Sequence, residues 1–320
     1  LGGLKRNIMP QEKTYSQIRN DFSKKFYSYI VPRIRQYEDE RVIRLLASLV
    51  VSIISLAWVG WIYYTAFTHI GEFSDNNVKL VLFLLLCAFG NFWVNKKSFE
   101  EKIKTDTIMP LVCKCFEDLD WSPYYGVNAG NIIKTSRVIH DFDSLGCDDA
   151  FVGQHQDVKF EIMESFFTKG CGRYRRTVFK GAVVKLDMNK NFTGHTLIRP
   201  ASLVHLNIPR KLKRTKLEDV EFEKRFNVFT DDEVEARYLI TPSFMERLNE
   251  MKVAFKANSV SCAFYEKSLL IALSTGKDLF SIGSLFKRID DPKQFFTMFE
   301  EILSIIKLID HFKLNQKIGL

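Results

Sequence analysis

Two long apolar stretches near the start of the chain constrain its fold more than any other feature. The first runs from Leu45 to Tyr64 and holds twenty residues without a charge. An α-helix of about 20 apolar residues crosses a hydrocarbon core of about 30 Å. The second, Val78 to Val94, is shorter and carries only Lys79 near its start. The pair predicts a transmembrane hairpin, because a core helix of a soluble protein seldom lacks charge on every face over this length.

Basic residues flank the outer ends of both stretches. The connection between them carries Glu72 and Asp75 but no Lys or Arg. Because Lys and Arg near span ends mark the cytoplasmic side, both termini are expected in the cytoplasm. The flanking residues are Lys25, Arg33, Arg35, Arg41 and Arg44 before the first span, and Lys96, Lys97, Lys102, Lys104 and Lys114 after the second.

Three serines, Ser48, Ser52 and Ser55, recur on one helical face of the first span. Small residues let a second helix approach closely, so this face is predicted to meet the partner span. The alternative is that the hydroxyls only bond to carbonyls of their own helix.

Helical periodicity also precedes the first span and follows the second. Apolar residues recur every three to four positions between Tyr15 and Tyr37, which predicts a helix with a kink or restart at Pro32. That helix either lies on the membrane surface or packs its apolar stripe on the cytoplasmic domain. Ser98 with Glu101 fits a capping box and predicts a helix start, with a bend at Pro110.

Composition and motifs exclude several functional classes. The net charge of +8 lies partly beside the spans, where it suits an anionic leaflet, so it does not indicate nucleic-acid binding. The six cysteines are scattered, and Cys113 with Cys115 is too short a pair for a zinc half-site, so reduced thiols and no metal are expected. No cleavable signal peptide is expected, because the first apolar stretch begins only at Leu45. Neither a phosphate loop, a dinucleotide fingerprint nor a nucleophile elbow occurs, and no cofactor is predicted.

From Phe151 onward the chain is predicted to form an α+β domain on an antiparallel sheet. Short segments rich in β-branched and aromatic residues alternate with Gly, Asn and Asp, and residues 169–173 and 189–194 resemble hairpin turns. Thr241-Pro242 and Asp291-Pro292 predict the starts of two helices. The residues predicted to be buried are Phe179, Val183, Phe264, Ile271, Phe299 and Ile302.

Two acidic pairs, Asp148 with Asp149 and Asp231 with Asp232, are candidates for a divalent-metal or small-molecule site. The alternative is solvated loops, with Asp231 or Asp232 as a helix N-cap. Neither pair has EF-hand spacing, so no specific divalent site is expected. His195 and His205 are interpreted as structural residues held by hydrogen bonds.

A dense basic run, Arg210, Lys211, Lys213, Arg214 and Lys216, is predicted to be exposed. It suits anionic lipid or an acidic protein partner, and a plain solvated loop is the alternative. The run has no interleaved aromatic residues, which argues against nucleic acid.

Several phrases resemble one bacterial membrane-protein family. They are the Pro32, Glu38, Arg41 approach to the first span, Ser136 followed by Asp148, Asp149 and Gly153, the turn Phe179-Lys180-Gly181, the phrase 222–226, and the phrase Thr230 to Leu248. The family is called domain of unknown function thirty-one thirty-seven. The resemblance implies two spans with a cytoplasmic domain and transfers no catalytic residue.

The predicted organisation is an N-terminal cytoplasmic amphipathic helix over 1–42, a transmembrane hairpin over 43–95, a juxtamembrane helical segment over 96–150 and a cytoplasmic α+β domain over 151–320. The predicted function is a non-enzymatic adaptor or assembly component of the bacterial inner membrane, multi-pass, with both termini cytoplasmic. Its domain would bind a protein partner or the inner leaflet, and its spans would contact the bilayer or a second copy. The alternative is a membrane-tethered enzyme or sensor with a pocket at the acidic pairs.

Overall fold

The computed structural model describes residues 15–65, 68, 75–114, 116, 118–123, 129–155, 157–188, 191–203, 208–280, 288 and 292–317. The helices are α1 Tyr15–Lys25, α2 Val31–Thr65, α3 Asp75–Ile103, α4 Met109–Cys113, α5 Ala129–Ser136, α6 Val220–Arg225, α7 Glu233–Leu239, α8 Pro242–Ala254 and α9 Pro292–Lys317. Helices α1 to α4 form one compact unit, and α5 to α9 belong with the sheet to a second.

Helices α2 and α3 are long and apolar enough to cross a membrane. Their most apolar windows have mean hydropathies of 2.3 and 1.8, and only 6% and 0% of those windows are buried. A core helix of a soluble protein would bury most of its apolar side chains. Here large side chains such as Ile53, Trp61 and Phe89 are more than half exposed. The predicted pair of long apolar helices is therefore present.

The two helices pack antiparallel along a seam that mixes apolar, small and polar residues. Lys102 of α3 forms an ion pair with Glu40 of α2 at 3.1 Å, and Arg44 lies over the ring of Phe99. Positions of reduced exposure recur at spacings of three or four, the period of knobs-into-holes packing. They are Leu45, Ser48, Ser52, Ser55, Val59 and Ile62 in α2, and Val81, Leu84, Ala88, Asn91, Asn95 and Phe99 in α3.

Both interpretations of the three serines hold: they bond within their own helix, and they face the second helix. Ser48, Ser52 and Ser55 each donate a hydrogen bond to a carbonyl four residues earlier in α2, so their hydroxyls are satisfied within the helix. The antiparallel register also brings the serines to the level of Asn91 and Asn95, whose amides are joined at 2.7 Å. The polar groups of the pair therefore face inward.

Both prolines predicted to bend a helix follow a π-helical turn. The turn Phe26–Ile30 ends two residues before Pro32, and the turn Lys104–Ile108 ends two residues before Pro110. In the first turn the Val31 N–H bonds to the oxygen five residues back. Because proline has no N–H, the regular hydrogen bond four residues back is lost there, and a wider turn accommodates the gap.

The segment before the first apolar stretch joins it without a break, since α1, the π-turn and α2 form one helix from Tyr15 to Thr65. Its apolar stripe, Phe22, Phe26 and Ile30, is at most 2% exposed, so these side chains are buried within the protein. The helix start predicted at Ser98 is wrong, because α3 continues through that position without interruption.

The sheet of the second unit is antiparallel throughout. Its strands are β1 Leu119–Ser122, β2 Ser144–His155, β3 Val158–Lys169, β4 Arg176–Asp187, β5 Thr196–Pro200, β6 Lys213–Thr215, β7 Phe226–Thr230, β8 Ser259–Tyr265 and β9 Ser268–Ser274. Their spatial order is β1-β2-β3-β4-β9-β8-β5-β7-β6. The predicted α+β class with an antiparallel sheet is therefore correct.

The strands differ from the prediction in two places. β1 and β2 begin at Leu119 and Ser144, so strand structure starts before the predicted boundary at 151. Residues 189–194 do not close a hairpin, because β9 and β8 lie between β4 and β5 in the sheet. The turn at 169–173 does join two paired strands, β3 and β4, as predicted.

Helices cover both faces of the sheet. On one face α5 and the chain after it contribute Ile133 and Phe142 to a core with Val183 of β4. On the other, Phe244 of α8 packs against Phe264 of β8. All six residues predicted to be buried are at most 9% exposed. Thr241 caps α8 as predicted by accepting the Phe244 N–H; Asp291 and His205 lie outside the described residues.

Candidate functional site

The basic segment, residues 210–216, contains the edge strand β6. The strand pairs with β7 on one side and is last in the sheet order. Leu212 and Thr215 are buried and anchor the segment. All five basic side chains are exposed, which confirms the exposure predicted for Arg210, Lys211, Lys213, Arg214 and Lys216. The segment is therefore a charged sheet edge rather than a plain loop.

The basic segment lies at the same level along the strand direction as the start of β1, where the chain enters the sheet. Directly paired residues form one row across all strands: Lys213, Thr230, Thr196, Phe264, Leu269, Leu186, Phe160, Gly153 and Leu119. Leu119 opens β1, the first strand after the helical unit. Measured along the sheet, eight strand spacings of about 4.8 Å separate Lys213 from Leu119, or about 38 Å.

Asp231 is a structural partner of the basic segment. Its carboxylate pairs with Lys211 at 3.0 Å and accepts the His195 N–H. Burial alone would raise the pKa of Asp231, but these two donors hold it below its ordinary value. Asp232 is the N-cap of α7 and accepts the Glu235 N–H at 2.9 Å. The N-cap alternative for this acidic pair is thus confirmed at Asp232.

The other acidic pair lies on β2 rather than in a loop. Asp148 is exposed at a bulge, where the register with β3 shifts between Cys147 and Asp149. Asp149 is 1% exposed and accepts the Trp121 Nε1–H at 3.0 Å. Its position within a strand and its buried contact differ from the solvated loop expected from sequence.

The two acidic pairs do not come together. β2 carries Asp148 and Asp149, β7 leads into Asp231 and Asp232, and five strands lie between β2 and β7 in the sheet. Within the described ranges, no group of three or more His, Cys, Asp or Glu side chains is placed to hold a metal ion. The cysteines of these ranges are free thiols.

Two buried side chains at and just before β5, His195 and Arg199, close the end of α5. His195 Nε2 lies 2.9 Å from the Ser136 carbonyl, and an Arg199 Nη2–H donates to the Arg137 carbonyl at 2.6 Å. Arg137 has a φ of +57°, the left-handed conformation that ends many helices. Burial lowers the pKa of Arg199 to about 10, with Arg137 adding to the effect. The structural role predicted for His195 is confirmed.

Two buried glutamates, Glu164 and Glu301, were not identified from the sequence. Glu164 of β3 is 2% exposed and Glu301 of α9 is 3% exposed. Burial raises the pKa of Glu164 to about 7 and that of Glu301 to about 8. Both are flanked by apolar residues, but Glu300 directly precedes Glu301 and Glu161 lies three residues before Glu164, so the sequence pattern does not single them out.

The C-terminal part of the chain matches a known family. Residues 177–314 match a family described as Protein of unknown function (DUF3137). The resemblance drawn from the sequence phrases is thereby confirmed. The matched region runs from β4 into α9 and includes the basic segment and Glu301. Asp148, Asp149 and the phrase formed by Pro32, Glu38 and Arg41 lie outside it.

One solved structure is similar, the crystal structure of the mycobacterial trehalose monomycolate transport factor A, TtfA. The identity is 11%, with a TM-score of 0.35, over 60% of this chain and 86% of that one. A likeness at this level carries no argument about function. The comparison with curated proteins gave no match.

Proposed function

We propose that the protein is a non-enzymatic component of the bacterial inner membrane. Helices α2 and α3 span the bilayer, both termini are cytoplasmic, and the sheet domain binds the anionic inner leaflet through the basic segment. The observation that carries the proposal is the exposure of apolar side chains along both helices. Only 6% of the most apolar window of α2, and 0% of that of α3, is buried. Such surfaces are costly in water and favourable in lipid.

Aromatic and basic side chains support this placement. Trp58, Trp61 and Tyr64 lie near the end of α2, where interfacial aromatic residues belong. At the opposite end of the pair, Lys97 lies over the ring of Trp93. This end also carries the basic flanks, so the positive-inside rule assigns it to the cytoplasm.

The charges of the basic segment support leaflet binding. Each Lys or Arg near an anionic surface contributes about 1 kcal/mol, and the effect fades over a Debye length of about 8 Å. Lys211 is already paired with Asp231, whereas Lys213 lies on the free edge of β6. The competing explanation is that these charges only prevent edge-to-edge association of sheets.

Lysine footprinting of the full chain in nanodiscs tests the proposal. Lys213 and Lys216 should react with an amine reagent several-fold more slowly with phosphatidylglycerol present than in neutral lipid, and high salt should remove the difference. Lys180, an exposed lysine of β4, is the matched control and should not change. Equal reactivity in both lipids at low salt would contradict leaflet binding and leave a solvated edge or a protein-docking site.

A matched variant separates binding from stability. Changing Lys211, Lys213, Arg214 and Lys216 together to Ser should abolish the lipid dependence, read at Arg210 by an arginine-selective reagent. The melting temperature should hold, because all four side chains are exposed. A large fall in melting temperature would instead assign the segment a structural role.

A further inference from the structure

Glu301 is a buried acid without a hydrogen-bonding partner for one of its oxygens. It lies on α9 and is 3% exposed. Among the described residues nothing hydrogen-bonds to its Oε2. An ionised carboxylate in such surroundings would lose hydration without compensation, so the side chain is stable only as a neutral acid.

Burial is the main influence on the ionisation of Glu301. Two charges add to it: Lys256 favours the ionised form and has the larger effect, and Glu164 on β3 opposes ionisation. Both carboxylate oxygens of Glu164 already accept hydrogen bonds, from the N–H groups of Leu279 and Phe280 at 2.9 and 3.3 Å. Asp149 lies directly opposite Glu164 in the β2–β3 register. Ionisation of Glu301 is therefore disfavoured mainly by its burial and by the lack of a donor to its Oε2.

Other charged contacts of α9 lie further along the helix. His155 of β2 meets Asp310 at 2.7 Å. Arg247 of α8 acts on His311, and burial lowers the pKa of His311. Asp278 acts on Glu164 from the chain after β9. None of these contacts supplies a hydrogen bond to Glu301.

We propose that α9 is held on the sheet by a proton-dependent contact, in which the buried Glu301 is neutral when α9 is docked and loss of its proton loosens the helix. The device would make the C-terminal helix of the domain sensitive to a rise in pH. It does not depend on the membrane placement, because Glu301, Glu164 and their neighbours all belong to the sheet unit.

The direction of the pH effect follows from proton linkage. Burial raises the pKa of Glu301 from 4.5 to about 8 in the folded protein, so the folded state binds more protons than the open one between those values. Stability of the docked helix must then fall as pH rises through this window. The pKa of the buried His195 is lowered, and its contribution grows as pH rises toward 6.5. Measurements above pH 7 separate the two effects.

Hydrogen exchange of α9 in the full detergent-solubilised chain tests the proposal. After correction for intrinsic exchange, protection of α9 should fall about tenfold between pH 7 and pH 9, as expected for a group whose pKa rises from 4.5 to about 8. Glu301→Gln removes the ionisable proton and should keep at most the fall of about twofold expected from Glu164, whose pKa burial raises to about 7. The matched control is Glu246→Gln, an exposed glutamate of α8, which should behave like the wild type.

Two outcomes would overturn the proposal: unchanged protection of α9 in the wild type, or the same tenfold fall in Glu301→Gln. If Glu301→Gln does not fold, infrared spectra of the wild type labelled with carbon-13 glutamate decide the matter. A buried carboxylic-acid band should be present at pH 7 and disappear by pH 9. Its absence at pH 7 would also refute the proposal.

Discussion

Substituting Gly181 by Ala tests the close approach of β4 and β9. Gly181 has a φ of +155° and lies opposite Ser274. A Cβ atom there would overlap the carbonyl oxygen of Leu273 and come within 2.8 Å of the Thr275 nitrogen. Both are backbone atoms, so no side-chain rotation relieves the clash. The two strands must separate for the alanine to fit.

The expected cost follows from the bonds that such a separation breaks. The N–H groups of Thr275 and Gly276 both donate to the Lys180 carbonyl at 3.1 Å. Losing two hydrogen bonds costs about 2 kcal/mol, and the glycine-only backbone region adds about 1–3 kcal/mol. The sum, about 3–5 kcal/mol, corresponds to a fall in melting temperature on the order of 10 °C for a domain of this size.

Thermal unfolding of the full chain in detergent, followed by near-ultraviolet circular dichroism, measures this effect. Gly276→Ala is the matched control, because Gly276 has a φ of +65° but its nearest neighbour would be Asn258 Nδ2 at 4.0 Å. Gly276→Ala should lower the free energy of unfolding only by the backbone strain, about 1–2 kcal/mol. If Gly181→Ala is no more destabilising than Gly276→Ala, the inferred close approach of the strands is wrong.

Two further predictions concern the helices. Phe299→Ala in α9 should cost about 3–5 kcal/mol in a chemical-denaturation experiment, because Phe299 is 1% exposed and stacks on Phe116; a near-neutral effect would contradict its burial. Reporter fusions after Asp75 and after Leu320 should report opposite sides of the membrane, since the basic flanks lie at one end of the helix pair. Signals from the same side would refute the spanning pair.

The sequence predicted those parts of the fold that depend on local signals. Val183 and Phe264 lie in short segments rich in β-branched and aromatic residues, and both are fully buried in strands. Thr241 followed by Pro242 is a cap with a first-turn proline, and the helix begins there. In each case side-chain pattern and backbone preference favour the same structure.

The missed elements depend on pairing between distant segments. β2 contains Gly146, Asp148 and Gly153, which have low strand propensity, and local pattern favours a loop there. The strand forms because β1 and β3 pair with its two edges, and the bulge at Asp148 absorbs one residue. Likewise, the second partner strand of β4 is β9, some eighty positions later, which no local turn signal could indicate.

A last prediction concerns the acidic pairs and the enzyme alternative. A divalent site needs several oxygen ligands around one ion, but Asp149 is buried beside Trp121 and Asp232 caps α7. Calorimetry of the full chain with Mg²⁺ or Ca²⁺ should therefore show no binding tighter than about millimolar, the weak end of calcium sites. Asp148→Asn should leave the titration unchanged, because Asp148 is exposed on the bulge away from the second pair. A micromolar site that is lost in Asp148→Asn would instead favour an enzyme or sensor with its ion at β2.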